Sequence, residues 1–301
     1  MTQAGPNSLA WGLLLILGEI WGSSFMSVAV ALEGFGPLQV AAARIVGGAI
    51  ILVAYAWATG RSVPERGRVW LHILGFAIVS NALPFSLLAW GMKHVPSGFA
   101  GVTMACVPLL VLPLAHYLVP GERLSPLKAG GFIVGFIGTL VLIGIGSLRF
   151  SGGDLEALAR VACVAAALSY ACGHIITRLA PPTGMIAYSA ATLVVASAII
   201  VPYALWVEGW PDPAGGRAAA ALFYLAVFPT AIATLIMVHL VRTAGPSFLS
   251  LVNYQVPVWS VIFGVTFLGE VLPRSLYAAL GLILLGLALS QIAARRARAR
   301  A

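Results

Sequence analysis

Ten apolar runs of about 20 residues follow one another along the chain, with only short polar gaps between them. At a rise of about 1.5 Å per residue, each run can cross a hydrocarbon layer of about 30 Å as an α-helix. Asp, Glu, Lys and Arg make up 9% of the residues, against about 25% in ordinary soluble domains, so the bilayer must solvate most of the surface. The predicted spans are 9–31, 37–59, 69–91, 97–119, 126–146, 157–178, 183–206, 218–241, 247–268 and 274–293.

The second half of the sequence repeats the first at an offset near 149 residues. Val107-Pro108 corresponds to Val256-Pro257, and Trp21 falls on Tyr170. Because each half contains five spans, an odd number, the second half enters the membrane from the opposite side. The sequence therefore predicts an all-α polytopic membrane protein whose ten transmembrane helices form two inverted five-helix repeats. The predicted units are the repeats 1–148 and 149–294, followed by a basic tail, 295–301.

Basic residues are concentrated on one side of the predicted spans. The side that carries both termini has eleven Lys and Arg residues, the other side has five, and Arg44 lies within a span. Because positively charged loops are retained in the cytoplasm, this bias predicts a bacterial-type inner-membrane protein with both termini in the cytoplasm. The arginine-rich tail is suited to anionic lipid headgroups at that surface.

The order of short motifs along the chain resembles the drug/metabolite transporter superfamily, specifically its EamA-type carriers. The matching positions of the first half are Trp21-Gly-Ser-Ser-Phe25, Arg44, Pro108, Gly121-Glu122, Gly131, Gly135 and Gly138. Those of the second half are Ala167-Leu-Ser-Tyr-Ala171, Arg178, Pro257, Gly269-Glu270, Gly281 and Gly286. Tyr170 stands where the family usually has Trp. Within the family the chain is most similar to YddG-type amino-acid exporters, which implies a secondary transporter.

The common patterns for cofactors, metals and covalent catalysis are missing from the sequence. It has no Gly-rich phosphate loop, no zinc-type Cys/His spacing and no nucleophile elbow. We therefore predict no cofactor, no metal site and no enzymatic activity, with transport driven by a substrate or ion gradient. The expected partners are a small-molecule substrate and membrane lipid but not nucleic acid, and both a monomer and a homodimer are compatible with the sequence.

Aromatic and polar side chains share one face of helix 6, where Tyr170, His174 and Thr177 recur at helical spacing. The repeat offset maps this face onto the Trp21 face of helix 1. Lipid would penalise the hydroxyls and the imidazole, so this face is expected to line a cavity; a packing stripe is the alternative. The predicted cavity residues are Trp21, Ser24, Phe25, Asn81, Tyr170, His174, Thr177, Asn253 and Tyr254.

Four of the prolines within predicted spans form two pairs between the halves: Pro108 and Pro257 are repeat mates, and Pro84 and Pro229 form a second, looser pair. Each lacks an N–H donor and leaves the carbonyl four residues earlier without its helical partner. We expect kinks that shape or gate the cavity, and simple packing kinks are the alternative. These prolines are Pro84, Pro108, Pro229 and Pro257.

Glu19 and Arg44 are the two charges deep inside predicted spans. An unpaired charge at that depth costs several kcal/mol, so we expect an ion pair between helices 1 and 2. The alternative is a coupling role, in which Glu19 titrates or receives a substrate ammonium. Helical geometry separates Trp21 and Glu19 by about 200°, so both cannot face one pocket squarely.

Two further expectations concern helix packing and helix ends. Gly131 and Gly135 in helix 5 and Gly281 and Gly286 in helix 10 predict a close helix contact, either within the fold or at a dimer seam. Glu122 and Glu270 follow helices 4 and 9 and are expected to be N-terminal charges of the next helix.

The sequence favours a secondary membrane transporter that exports small metabolites, with aromatic or other apolar amino acids as the expected class. Alternating access would take place about a midplane cavity. The alternative is a proton-coupled exporter of cationic aromatic drugs, with Glu19 as the counter-charge. A membrane-embedded enzyme is disfavoured because no catalytic set lies within the spans, and a channel fits inverted repeats with mirrored kinks less well than a carrier does.

Overall fold

The computed structural model describes residues 7–61, 67–120, 126–143, 155–212 and 215–298. Within these ranges the chain forms ten helices and no strand. Eight have the length and apolar composition of a membrane span: α1 Ser8–Ala31, α2 Pro37–Ala58, α3 Val69–Gly91, α4 Ser97–Leu118, α5 Pro126–Ile143, α6 Leu155–Leu179, α7 Met185–Glu208 and α8 Gly216–Thr243. The other two are α9, Val252–Leu268, which follows a single turn at Pro246–Leu249, and α10, Arg274–Arg298, which is apolar as far as Ser290.

The all-helical prediction is confirmed for the described residues, and helix ends differ by a few residues. The helix α10 continues through Arg298, so the first part of the tail predicted from residue 295 is helical. The predicted boundary between the repeats at 148/149 and the Gly121-Glu122 motif lie outside the described residues.

Two contacts between helix ends agree with successive helices that run in alternating directions. We call the end of the bundle where α1 begins the near face and the end where α1 stops the far face. At the near face, the Trp11 ring of α1 packs 4.8 Å from the Phe248 ring beside α9. At the far face, Arg217 at the start of α8 lies 3.7 Å from Glu33, just after α1. Both contacts join helix ends as alternation requires.

Two carboxylates join the halves at the far face by capping helices from the opposite half. Glu208 at the end of α7 accepts hydrogen bonds from the backbone N–H groups of Leu38 and Gln39, at 3.1 and 2.9 Å, at the start of α2. Glu270 accepts from the N–H groups of Ser97 and Gly98, at 2.6 and 3.0 Å, at the start of α4. A carboxylate at a helix N-terminus satisfies unpaired donors and stabilises the positive end of the dipole.

The prediction that Glu270 caps the next helix is therefore wrong, because its carboxylate caps α4 and not α10. The chain reverses at Gly269, which adopts a left-handed conformation (φ 66°), and the next residue lies against the start of α4. Glu122 lies outside the described residues.

The helices α3 and α8 each contain a π-helical segment, Ala77–Ala82 and Val227–Ile232. Pro84 follows the first segment by two residues, and Pro229 lies inside the second. Because proline cannot donate to the carbonyl four residues earlier, the helix widens locally. The carbonyl of Leu225, which Pro229 frees, instead accepts a hydrogen bond from the Thr230 hydroxyl at 2.8 Å.

The other two predicted prolines disturb their helices less. Pro108 follows a 3-10 turn, Met104–Cys106, and the carbonyl of Met104 accepts from the N–H of Val107 instead of from residue 108. Pro257 lies inside the continuous helix α9. Pro84 and Pro229 thus occur with π-helical segments, Pro108 with a 3-10 turn, and Pro257 within a regular α-helix.

The helices α5 and α10 pack backbone to backbone. A Cβ atom added to Gly286 would lie 2.5 Å from the carbonyl oxygen of Gly131 and 2.6 Å from the nitrogen of Gly135. The close contact predicted from the glycines is therefore made within the fold. A Cβ atom added to Gly281 of the same helix would have no neighbouring atom within 4 Å.

Candidate functional site

An internal cavity of about 320 Å³ lies between α1, α2, α3, α4, α6, α7, α8 and α9. Small-molecule sites usually enclose about 300–1,000 Å³, so the volume suits a compact ligand. The helices α5 and α10 contribute no lining residue. Four helices of each half therefore surround the cavity, and the fifth helix of each half packs outside it.

The lining follows the sequence repeat position by position. Of its 27 residues, 20 form ten pairs whose members are separated by 149 positions. The pairs are Trp21/Tyr170, Phe25/His174, Val40/Ser189, Arg44/Leu193, Ser80/Pro229, Asn81/Thr230, Phe85/Thr234, Leu88/Met237, Met104/Asn253 and Val107/Val256. Equivalent backbone positions of the two halves thus face the same space.

Four of these pairs place an apolar side chain in the first half opposite a polar one in the second. The apolar members, Phe25, Val40, Phe85 and Met104, come from parts of their helices nearer the far face. The polar members, His174, Ser189, Thr234 and Asn253, come from parts nearer the near face. In these four pairs, the apolar side chain therefore lies nearer the far face and the polar one nearer the near face.

The far-face end of the cavity is closed and its near-face end is more accessible. Val28 and Met92, close to the far-face ends of α1 and α3, are only 7% and 8% exposed. His174, one to two turns from the near-face end of α6, is exposed. The two carboxylate caps described above lie on the closed side.

Arg44 projects into this cavity from α2 and is held by two contacts. Its Nε donates a hydrogen bond to the Thr230 hydroxyl oxygen at 3.0 Å, and its guanidinium lies 4.0 Å from the centre of the Phe85 ring. The Thr230 hydroxyl in turn donates a hydrogen bond to the carbonyl oxygen of Leu225 at 2.8 Å. These contacts fix the plane of the guanidinium, while no described residue accepts from its two terminal nitrogens.

The charge of Arg44 has no acidic counterpart in the cavity. None of the described lining residues is Asp or Glu. A guanidinium takes part in cation–π contact and hydrogen bonding without being neutralised, so the cavity keeps a positive charge. A buried charge without a partner is costly, which makes this site receptive to a ligand carboxylate.

The predicted Glu19–Arg44 ion pair is not formed between these two described residues. Glu19 is exposed and lines a separate groove on the outside of the bundle. Trp21, two residues along α1, faces the cavity instead. The physical reason is the 100° turn per helical residue, which puts the Glu19 and Trp21 side chains on opposite sides of α1.

Most of the predicted cavity residues meet in the lining, and two do not. Thr177 lies one turn beyond His174 towards the near-face end of α6, and its hydroxyl donates to the carbonyl of Gly173 at 3.0 Å. Tyr254 turns from the cavity to pack against the hydrophobic core around α1. The seven predicted residues in the lining are Trp21, Ser24, Phe25, Asn81, Tyr170, His174 and Asn253.

The helices α1 and α6 each donate a hydrogen bond into the π segment of the other half. The indole N–H of Trp21 donates to the carbonyl of Pro229 at 3.3 Å, and the Ser169 hydroxyl donates to the carbonyl of Val79 at 2.6 Å. The π segments therefore offer carbonyls to α1 and α6, the helices that carry the lining pair Trp21 and Tyr170. Of the four predicted gating prolines, Pro229 is the one that lines the cavity.

Asn81 is the buried polar group whose hydrogen bonding is incomplete in this site. It is 7% exposed, and its Nδ2 has no hydrogen-bond partner among the described residues. Buried amide donors are normally satisfied. A ligand acceptor would satisfy this donor.

Several lining residues were missed from the sequence although a signal was present. Applying the 149-residue offset to Asn81 and Asn253 gives Thr230 and Met104, both of which line the cavity. The same offset gives no indication of Phe85, because its mate Thr234 was not among the predicted cavity residues either. Arg44 was singled out for its depth, but its orientation could not be read from spacing.

The comparisons with known proteins agree with this architecture. The sequence profile described as "EamA-like transporter family" matches residues 9–144 and again 156–291. The chain is 28% identical over 286 residues to the uncharacterized inner membrane transporter YedA of Escherichia coli (strain K12), covering 93% of this chain and 89% of the relative. It is 25% identical to the uncharacterized transporter YvbV of Bacillus subtilis (strain 168), covering 98% and 96%.

A protein of known crystal structure has a similar fold, with a TM-score of 0.69 over 96% of this chain and 99% of that one, at 23% identity. The relatives named above are transporters, and one is placed in the inner membrane. The family profile covers most of both halves. The chain therefore belongs to the EamA-like transporter family of multi-pass membrane proteins.

Proposed function

We propose that the protein is a secondary transporter that exports small amphipathic carboxylates, with aromatic and other apolar amino acids as the best-fitting class. The observation that carries this proposal is Arg44. Its guanidinium faces a cavity with no described acidic lining residue, and its terminal nitrogens have no described acceptor. A bidentate carboxylate is the ligand group that best matches such a fork.

The rest of the lining suits the other parts of an amino acid. The rings of Trp21, Phe25, Phe85 and Tyr170 offer apolar and stacking surfaces for a side chain. The Asn81 amide adds a donor, and Asn253 and Thr234 add oxygens that can accept from a substrate ammonium. A zwitterion with an apolar body would thus find a partner for each of its groups.

We further propose alternating access between two inverted repeats, 1–148 and 149–294. The ten lining pairs at one offset support this, because equivalent positions of the two halves face one cavity; in four of the pairs the apolar member lies towards the far face and its polar mate towards the near face. The basic-residue bias supports a cytoplasmic near face. The structure would then correspond to a state closed to the outside by Glu208 and Glu270.

The geometry weighs against export of cationic aromatic drugs through this cavity. Such a substrate would bring a second positive charge near Arg44, and like charges in a low-dielectric site repel strongly. Glu19, the counter-charge required by that alternative, lies in the outer groove. The cavity therefore favours a substrate with a carboxylate.

A matched panel of substrates tests the proposal in proteoliposomes. Phenylalanine carries both ionic groups, phenethylamine lacks the carboxylate, and 3-phenylpropionate lacks the ammonium. We expect saturable counterflow of phenylalanine, weaker transport of 3-phenylpropionate, and little or no transport of phenethylamine. Repeating the assay with an imposed pH gradient shows whether protons move with the substrate.

Empty vesicles and vesicles with the Arg44→Gln variant are the controls. In that variant, the preference for phenylalanine over phenethylamine should fall by at least 10-fold. Flux of phenethylamine equal to that of phenylalanine in the unaltered protein would contradict carboxylate recognition. Absence of flux for phenylalanine, tryptophan and methionine would discard the amino-acid class.

A further inference from the structure

A groove of about 600 Å³ lies on the outside of the bundle between α1 and α8, with Phe263 of α9 at its edge. Its walls are mainly aliphatic and aromatic, with two serines, and the rings of Tyr224 and Phe228 stack at 4.9 Å between centres. Glu19 is the one carboxylate among the described residues of this lining. The groove therefore presents a single acidic side chain within mainly apolar walls.

Glu19 occupies an unusual position for a carboxylate. It lies about 16 Å along α1 from the near-face end and about 18 Å from the far-face end, by helix rise, in a span with no other charged residue. Its side chain is exposed, and no described residue pairs with it. The neighbouring Ser23 hydroxyl is engaged with the carbonyl of Ile20 and with the Tyr224 hydroxyl.

We propose that this groove is a binding site for a hydrophobic ammonium that enters from the lipid bilayer. An amphiphilic cation neutralises the carboxylate, and its apolar part contacts the walls that otherwise face lipid tails. The rings of Tyr224, Phe228 and Phe263 add surfaces that attract a quaternary nitrogen. Charge and apolar surface are thus matched by one molecule.

Two other occupants fit the same groove less well. A calcium or magnesium ion needs about six oxygen ligands, whereas the described lining offers one carboxylate and a few hydroxyls. A second copy of the chain would have to place a Lys or Arg at the depth of Glu19 to pair with its carboxylate. Arg44 is the one Lys or Arg midway along a described span, and it faces the internal cavity.

The groove is separate from the cavity, although both use α1. Two hydrogen bonds close the seam between α1 and α8: Trp21 Nε1 to the carbonyl of Pro229 at 3.3 Å, and Ser23 Oγ to Tyr224 Oη at 2.7 Å. No residue lines both spaces within the described parts of the chain. A cation in the groove therefore binds without entering the substrate site.

The experiment uses the full-length protein in nanodiscs of zwitterionic phosphatidylcholine, with benzyldimethyldodecylammonium as the probe. We expect saturable binding that falls at least 10-fold in Glu19→Gln and is unchanged in Glu33→Gln, a matched control that lies just after the same helix and outside the groove lining. The uncharged benzyl dodecyl ether should bind at least 10-fold more weakly than the cation and should not respond to Glu19→Gln.

Photo-cross-linking of the unaltered protein with a diazirine derivative of the probe gives a second readout that does not depend on the folding of a variant. Cross-links should map to α1 around Glu19 and to α8 between Ala220 and Phe228. Binding within two-fold of normal in Glu19→Gln, or cross-links confined to α2 and α7, would overturn the proposal. A dimer that Glu19→Gln dissociates would also overturn it, because a second copy would then cover the groove.

Discussion

The two halves of the chain supply the same positions to the cavity but different chemistry. Ten pairs at an offset of 149 residues line it, yet Phe25 is matched by His174, Phe85 by Thr234 and Arg44 by Leu193. The first half contributes most of the rings and the charge, and the second half contributes most of the hydroxyls. The duplicated backbone thus determines where a substrate fits, and divergence of the side chains determines which substrate fits.

Exchanging a residue for its mate in the other half is therefore a direct way to test the comparison. The largest effect is expected from Arg44→Leu, which makes the pair symmetrical with Leu193. Loss of a charged hydrogen-bonding group costs about 1.5–3 kcal/mol, so kcat/KM for phenylalanine counterflow should fall about 10- to 100-fold. Leu193→Ala should change it only a few-fold. Flux retained in Arg44→Leu would show that the charge of the first half is not used for the substrate.

Thr230→Val removes one hydroxyl while keeping the side-chain shape. Arg44 Nε then loses its acceptor and the carbonyl of Leu225 loses its donor. Unsatisfied buried groups cost about 1–3 kcal/mol each, so thermal unfolding in detergent should occur several degrees lower. Thr234→Val is the matched control, because the Thr234 hydroxyl bonds only the carbonyl of Thr230 in its own helix. Equal shifts in the two variants would contradict the special role of Thr230.

Phe85→Thr gives the first half the residue of its mate Thr234. The variant loses the ring that lies 4.0 Å from the Arg44 guanidinium. Cation–π contacts contribute about 0.5–2 kcal/mol, so the KM for phenylalanine should rise about 2- to 30-fold. Phe85→Tyr keeps the ring and should stay close to the unaltered protein. A larger loss in Phe85→Tyr than in Phe85→Thr would show that the ring face is not what matters.

The smallest effect on amino-acid flux is expected from Glu19→Gln. Leu168 is the residue of the second half that corresponds to Glu19, and both side chains are exposed. This pair therefore points away from the cavity in both halves. Counterflow of phenylalanine should stay within about two-fold of normal. A 10-fold loss would extend the functional part of the molecule to the outer face of α1.

Much of the fold was available from the sequence because hydropathy is a property of each segment by itself. The ten apolar runs correspond to described helices, and the mid-span prolines lie in or beside regular or irregular helical turns. The offset near 149 reappears in the ten pairs of cavity residues. The π segments were not predicted, since a proline shows where a hydrogen bond is lost but not which geometry replaces it. The Glu208 and Glu270 caps were also missed, because each joins residues about 170 positions apart.

The sequence by itself determined that this chain spans the membrane repeatedly, that its halves are related, and that two charges lie deep within the spans. Only the tertiary structure decided that Arg44 points into the cavity and Glu19 points away from it. The reason is that depth depends on position along a helix, whereas direction depends on how neighbouring helices rotate that helix when they pack.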